Sequence, residues 1–122
     1  MPASCCSGDN VLILACSGGS NVGQISNEAA KQLDQEGVGK FYCLAGVGGG
    51  IAGITTSCRD ADKVIVIDGC DIGCAKVACE KAEVPIACYL VVTEEGVDKG
   101  HHFQITCEEV DGICGRVREL LA

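Results

Sequence analysis

Two short runs in this chain, Val11-Leu12-Ile13-Leu14-Ala15 and Val64-Ile65-Val66-Ile67, are apolar at every position, so neither has a polar face to turn to water. Strands of that kind are buried on both sides, as in a parallel sheet covered by helices. The intervening segments supply those helices. Cys16-Ser17-Gly18-Gly19-Ser20-Asn21 reads as a glycine-rich loop after the first strand, and Ile25, Ala29 and Leu33 recur every four residues through 22–36 before Gly37 stops the helix. A second strand is expected over 40–45, then Gly46-Val47-Gly48-Gly49-Gly50 and a short helix over 51–58. Lys63-Val64-Ile65-Val66-Ile67-Asp68 is the third strand, and Gly69-Cys70-Asp71-Ile72-Gly73-Cys74 leads into a helix reaching residue 82. A fourth strand over 86–93, a polar loop over 94–102 and a helix over 106–121 complete the chain. This alternation predicts an α/β fold: a small single-domain, three-layer, Rossmann- or flavodoxin-like unit whose four-stranded, mainly parallel sheet carries helices on both faces. The expected strand order is 2-1-3-4, by analogy with flavodoxin-like sheets. Residues 11–122 form the domain, and residues 1–10 form a tail with the vicinal pair Cys5-Cys6.

Composition removes several classes of function. Nine basic against seventeen acidic residues give a net charge of -8, and two Phe, two Tyr and no Trp leave few rings to stack on bases. Nucleic acid is therefore an unexpected partner. No apolar run approaches the roughly 18 residues of a membrane span, and the first ten residues hold no Lys or Arg to begin a secretion signal. A soluble, cytoplasmic protein is expected. Eleven cysteines in 122 residues is a high and odd count, and in a reducing compartment clustered thiols bind metal or do redox work rather than staple loops.

The expected topology sorts those cysteines. Ligands of an open parallel sheet gather beyond the carboxyl ends of the strands. Cys16 follows strand 1, Cys43 lies toward the end of strand 2, Cys70 follows strand 3, and Cys74 comes one helical turn later. Cys70 and Cys74 share a face of a helix start, whose positive end is expected to lower thiol pKa values. Four thiolates at such an edge suit a closed zinc site. Strand alternation leaves open whether Cys43 points to the edge or into the core. Free cysteine is also a common small core residue. That reading is favoured for Cys107 and Cys114, which share a helical face with Val110, Val117 and Leu121, and for Cys58, Cys79 and Cys88. Cys5-Cys6 is either a grip for a soft metal or an unordered terminus.

Three segments, Cys16-Ser17-Gly18-Gly19-Ser20-Asn21-Val22-Gly23-Gln24, Cys43-Leu44-Ala45-Gly46-Val47-Gly48-Gly49 and Ile67-Asp68-Gly69-Cys70-Asp71-Ile72-Gly73-Cys74-Ala75, together resemble the DGC-domain family of zinc-binding proteins, named for the Asp-Gly-Cys triplet. The resemblance runs from about Val11 to Leu121. It implies that Cys16, Cys43, Cys70 and Cys74 are the zinc chelators, and it brings no reaction with it. The vicinal Cys5-Cys6 pair lies outside the resembling segments.

Other constellations compete less well. Gly48-Gly49-Gly50-Ile51-Ala52-Gly53 spells a dinucleotide fingerprint with Asp68 twenty residues after Gly48, but the helix after it is short and Asp68 runs directly into the thiol motif. The loop at Gly18 lacks the Lys-Ser/Thr of a phosphate-binding loop, although its backbone amides remain available to an anion. Val22 stands where a C-x₅-R phosphatase motif needs arginine. No binding of NAD, FMN or ATP is expected. His101 and His102 sit in a polar loop, where solvation is favoured over ligation. Two classes of function remain. One is a zinc-binding protein, structural or metal-handling, with the metal ion as partner and no membrane role. The other is a thiol enzyme or carrier for redox, persulfide or metalloid transfer, with Cys70 as nucleophile and Cys74 or Cys16 resolving it.

Overall fold

The computed structural model describes residues 9–122; Cys5 and Cys6 lie outside them. Four strands, β1 (Val11–Ala15), β2 (Lys40–Phe41), β3 (Lys63–Asp68) and β4 (Cys88–Val91), form one sheet in the order β2-β1-β3-β4 with every neighbouring pair parallel. The expected architecture and strand order are both present. Five α-helices accompany them among the described residues: α1 (Asn21–Gln35), α2 (Leu44–Gly48), α3 (Ala52–Asp60), α4 (Cys74–Lys81) and α5 (Cys107–Leu121).

The alternation of side chains along β1 and β3 divides the interior in two. Ile13, Ala15, Ile65 and Ile67 pack with α1 and α5 through Ile25, Leu33, Ile113 and Val117. Leu12, Leu14, Val64 and Val66 turn the other way, against Val47 of α2, Cys58 of α3 and Ala75 and Cys79 of α4. Each strand therefore feeds two cores, which is why neither run has a polar position. No helix among the described residues is long and apolar enough to cross a membrane.

The helix ends follow their sequence signals. Ser20 caps α1, its hydroxyl accepting from the Gly23 amide at 3.1 Å. Thr106 and Glu109 form a reciprocal capping box on α5. Gly37, at φ +82°, ends α1 in the left-handed region.

Three expectations need correction. The second strand stops at Phe41 rather than residue 45, because β2 is an edge strand paired only through Leu12–Lys40 and Ile13–Phe41; Cys43 becomes the N-cap of α2. The stretch from Gly46 onward holds two helices, α2 and α3, so the apparent dinucleotide fingerprint begins at the end of a helix instead of following a strand. Cys107 is exposed at the first residue of α5. Its heptad partners Val110, Cys114 and Val117 are buried, whereas Cys107 lines an open cleft between the start of α5 and Glu28, Lys31 and Gln32 of α1.

Candidate functional site

The Asp-Gly-Cys triplet ends β3, and each of its residues is fixed by a different constraint. Asp68 is 1% exposed. Its Oδ1 accepts from the Ala75 amide at 2.8 Å, and its Oδ2 accepts from the Lys76 amide at 3.0 Å and the Tyr89 hydroxyl at 2.8 Å. The carboxylate thus satisfies two free amides in the first turn of α4 and holds that helix against the strand. With both oxygens committed, Asp68 is not available to a ribose. Gly69 has no room for a side chain: a Cβ there would lie 2.8 Å from the Gly23 nitrogen and the Val22 carbonyl carbon. Cys70 follows, half-buried, and its carbonyl accepts from the Gly73 amide at 3.1 Å. Gly73, at φ +69°, turns the chain into α4, and Cys74 is the first residue of that helix.

The loop between β1 and α1 meets this turn from the other side. The Cys16 amide donates to the Ile67 carbonyl at 3.0 Å, and the Cys16 sulfur accepts from the Gly18 amide at 3.4 Å. Ser26 donates to the carbonyls of Cys16 and Gly23, and Gln24 donates to those of Ser17 and Gly18, both at 3.0 Å. Gly23 approaches Gly18 so closely that a Cβ would sit 2.7 Å from the Gly18 oxygen. At the start of α1 the amides of Asn21, Gly23 and Gln24 are taken by the Gly100 carbonyl, the Ser20 hydroxyl and the Ser20 carbonyl. The expected anion cradle therefore has most of its donors spent internally.

A third segment closes the edge, and its role was not legible in the sequence. The Asn21 side chain donates to the Asp98 carbonyl at 2.8 Å and accepts from the Gly100 amide at 2.7 Å, gripping the backbone on either side of Lys99. Lys99 Nζ then reaches Cys70 Sγ at 3.3 Å. His101, in its Nδ1–H form, donates to the Gly19 carbonyl at 3.0 Å, and its ring meets Phe103 edge to face. His102 Nδ1 accepts from the Gln104 amide. Both imidazoles are exposed.

All four cysteines singled out from the sequence stand at the C-terminal ends of the strands or the helix starts beyond them. Cys16 and Cys70 both lie near enough to Cys74 to act on its charge. Burial pushes the Cys74 thiol up, and negative charge at Cys16, Asp68 and Cys70 adds to the shift. The sequence led us to expect the opposite from a helix N-terminus; the Asp68 carboxylate already occupies the amides that would have stabilised a thiolate there. Cys43 is exposed at the start of α2 and is not among the charges that act on Cys74. Among the described residues no three His, Cys, Asp or Glu side chains form a ready-made metal-ligating group, whereas the donors themselves, thiols on loops and helix starts, are of the kind soft metals take. The nine cysteines of the described region are all free thiols.

Cys58, Cys79, Cys88 and Cys114 are buried, as expected of packing residues. Burial pushes the thiols of Cys79 and Cys114 up to about 11.

The chain matches the family model of the DGC domain over residues 12–117. It is also 30% identical over 110 residues to the anaerobic and virulence modulator AnvM of Pseudomonas aeruginosa, a match covering 90% of this chain and 84% of that protein. No solved structure matches the chain significantly.

Proposed function

Since the chain belongs to the DGC domain family, we propose that it is a zinc-binding protein in which Cys16, Cys43, Cys70 and Cys74 hold the metal at the C-terminal edge of the sheet, in a structural or metal-handling role. The observation that supports this reading is that Cys16, Cys70 and Cys74 lie at the C-terminal edge of the sheet, beyond β1, beyond β3 and at the start of α4, with Cys16 and Cys70 near enough to act on the charge of Cys74. A parallel sheet gathers ligands there. Cys16 and Cys70 sit on loops, and Cys43 and Cys74 at helix starts, so binding is expected to draw the sulfurs together and to couple to the order of those loops. Bound zinc would cross-link the ends of β1, β2 and β3 and suppress the nucleophilicity of its thiolates. Lys99 places a positive charge beside a centre that would be negative with four thiolate ligands.

A second reading takes Cys70 as the nucleophile of a thiol enzyme or carrier, and the ammonium of Lys99 against its sulfur is the observation that favours it. The relative named as an anaerobic modulator would suit either reading, since thiol centres respond to redox conditions. Timed alkylation of anaerobically purified protein separates them. A closed zinc site protects all four sulfurs until a chelator is added, whereas a free nucleophile at Cys70 reacts at neutral pH without one. Rapid labelling of Cys70 in metal-replete protein would remove the zinc reading.

A further inference from the structure

The backbone on both sides of the contact between Lys99 and Cys70 is pinned. Asn21 is 4% exposed, and its side-chain amide is spent on the carbonyl of Asp98 and the amide of Gly100, the two residues flanking Lys99. A third bond, from the Asn21 amide to the Gly100 carbonyl at 3.1 Å, locks the same loop to the start of α1. On the other side, Cys70 is held by the Gly73 turn, by the Thr93 amide donating to the Gly69 carbonyl at 3.2 Å, and by the lack of space at Gly69. Two segments fixed this way present an amine nitrogen and a thiol sulfur 3.3 Å apart at an accessible edge. A sulfur so placed is open to oxidation, and the group facing it is a nucleophilic nitrogen.

From this geometry we propose that Lys99 and Cys70 form a modification site, where dioxygen joins them through a nitrogen–oxygen–sulfur bridge. The ammonium of Lys99 first gives a proton to solvent. The neutral amine then loses one hydrogen and the thiol loses its own, and one atom of dioxygen is inserted between nitrogen and sulfur while the other leaves as water with those two hydrogens. Nitrogen and sulfur each give up two electrons, and the four together reduce dioxygen. An inserted oxygen spans the gap with less movement of the pinned loops than a direct nitrogen–sulfur bond requires. Excess thiol reductant reverses the reaction in two two-electron steps: the first cleaves the sulfur–oxygen bond, freeing the Cys70 thiol and leaving a hydroxylamine on Lys99, and the second reduces the nitrogen–oxygen bond to the amine and water. On the reading of Cys70 as a metal ligand, which this consequence alone depends on, the bridge withdraws that sulfur from the site and makes metal retention sensitive to oxygen.

Intact-mass and peptide analysis of the full chain, stripped of metal by chelator and held in air-saturated buffer, tests the proposal independently of zinc. The expected product is heavier than the reduced chain by one oxygen less two hydrogens, joins the Lys99 peptide to the Cys70 peptide, and reverts with dithiothreitol. Lys99→Arg keeps the positive charge on an exposed loop and is expected to lose the bridged species completely, as is Cys70→Ser. Recovery of oxidised Cys70 only as a disulfide with Cys16 or Cys74, or only as sulfinic acid, would overturn the proposal. So would a bridged mass that persists in Lys99→Arg. Neither result bears on whether reduced protein binds zinc.

Discussion

The Tyr89 hydroxyl donates to Asp68 Oδ2 at 2.8 Å, so a ring on β4 completes the coordination of a buried carboxylate at the end of β3. Burial and that carboxylate push the phenol well above its ordinary range, which favours the protonated, donating form. Tyr89→Phe leaves one lone pair of a buried anion without its partner. A loss of about 1–3 kcal/mol is expected from urea unfolding, with the greatest rise in amide exchange in the first turn of α4. Exchange rising evenly across the protein would argue against Asp68 as the anchor of that helix.

Two glycines join the β3–α4 turn to α1, and a third offers a contrast. Gly23→Ala and Gly69→Ala each place a methyl group less than 3 Å from backbone atoms. Thermal or urea unfolding is expected to show a loss of about 1–3 kcal/mol for each. Gly112 lies on the exposed side of α5, where an added Cβ would meet nothing within 4 Å; Gly112→Ala is expected to gain roughly 0.5–1 kcal/mol from helix propensity alone.

Stability should decline in alkali through Cys79 and Cys114. Both are fully buried with pKa values raised from 9.0 to about 11, so between these values the unfolded chain has released protons that the native state still holds. The unfolded state binds fewer protons there, and unfolding free energy falls as pH rises from 9 toward 11. Cys79→Ala combined with Cys114→Ala should flatten that slope while lowering stability at neutral pH through lost packing. An unchanged slope in denaturant titrations would assign the alkaline loss to other groups.

For the metal reading, protein purified without oxygen is expected to carry about one zinc per chain. Cys16→Ser, Cys70→Ser and Cys74→Ser should each lose it by elemental analysis, and Cys107→Ser and Cys114→Ser should keep it. Cys43→Ser is the most informative variant, because Cys43, unlike Cys16 and Cys70, is not among the charges that act on Cys74. Full zinc in that variant would hand the fourth position to another donor, with His101, His102, Cys5 and Cys6 the candidates to mutate next.

The layers and the burial of Cys114 were legible because they rest on local periodicity, whereas the strand order came from the analogy with flavodoxin-like sheets and no local pattern carries it. A run such as Val64-Ile65-Val66-Ile67 admits few environments, and the period-two division between the two cores follows from it. Cys43 was ambiguous for a physical reason. Phe41-Tyr42-Cys43-Leu44-Ala45 is uniformly apolar or small, a pattern that suits a buried strand or a helix start equally, and only the two-residue pairing of β2 with β1 decides where the strand ends. Lys99 was not legible at all. It is 29 positions from Cys70, and what brings it there is a pair of hydrogen bonds from Asn21, 77 and 79 positions from its acceptor and donor. The signal was a buried asparagine opening a helix, and nothing in the sequence says which backbone such a side chain will hold. The dipole argument for Cys74 failed because no local pattern reveals that Asp68 folds back onto the amides of Ala75 and Lys76.

The grip of Asn21 on residues 98–100 also ties the loop that carries Lys99 to the first turn of α1. The Asn21 side chain bonds the Asp98 carbonyl and the Gly100 amide, and its backbone amide bonds the Gly100 carbonyl. That loop therefore opens only when the start of α1 gives up three hydrogen bonds, so exposure of Cys70 from this side and fraying of that helix are one event rather than two.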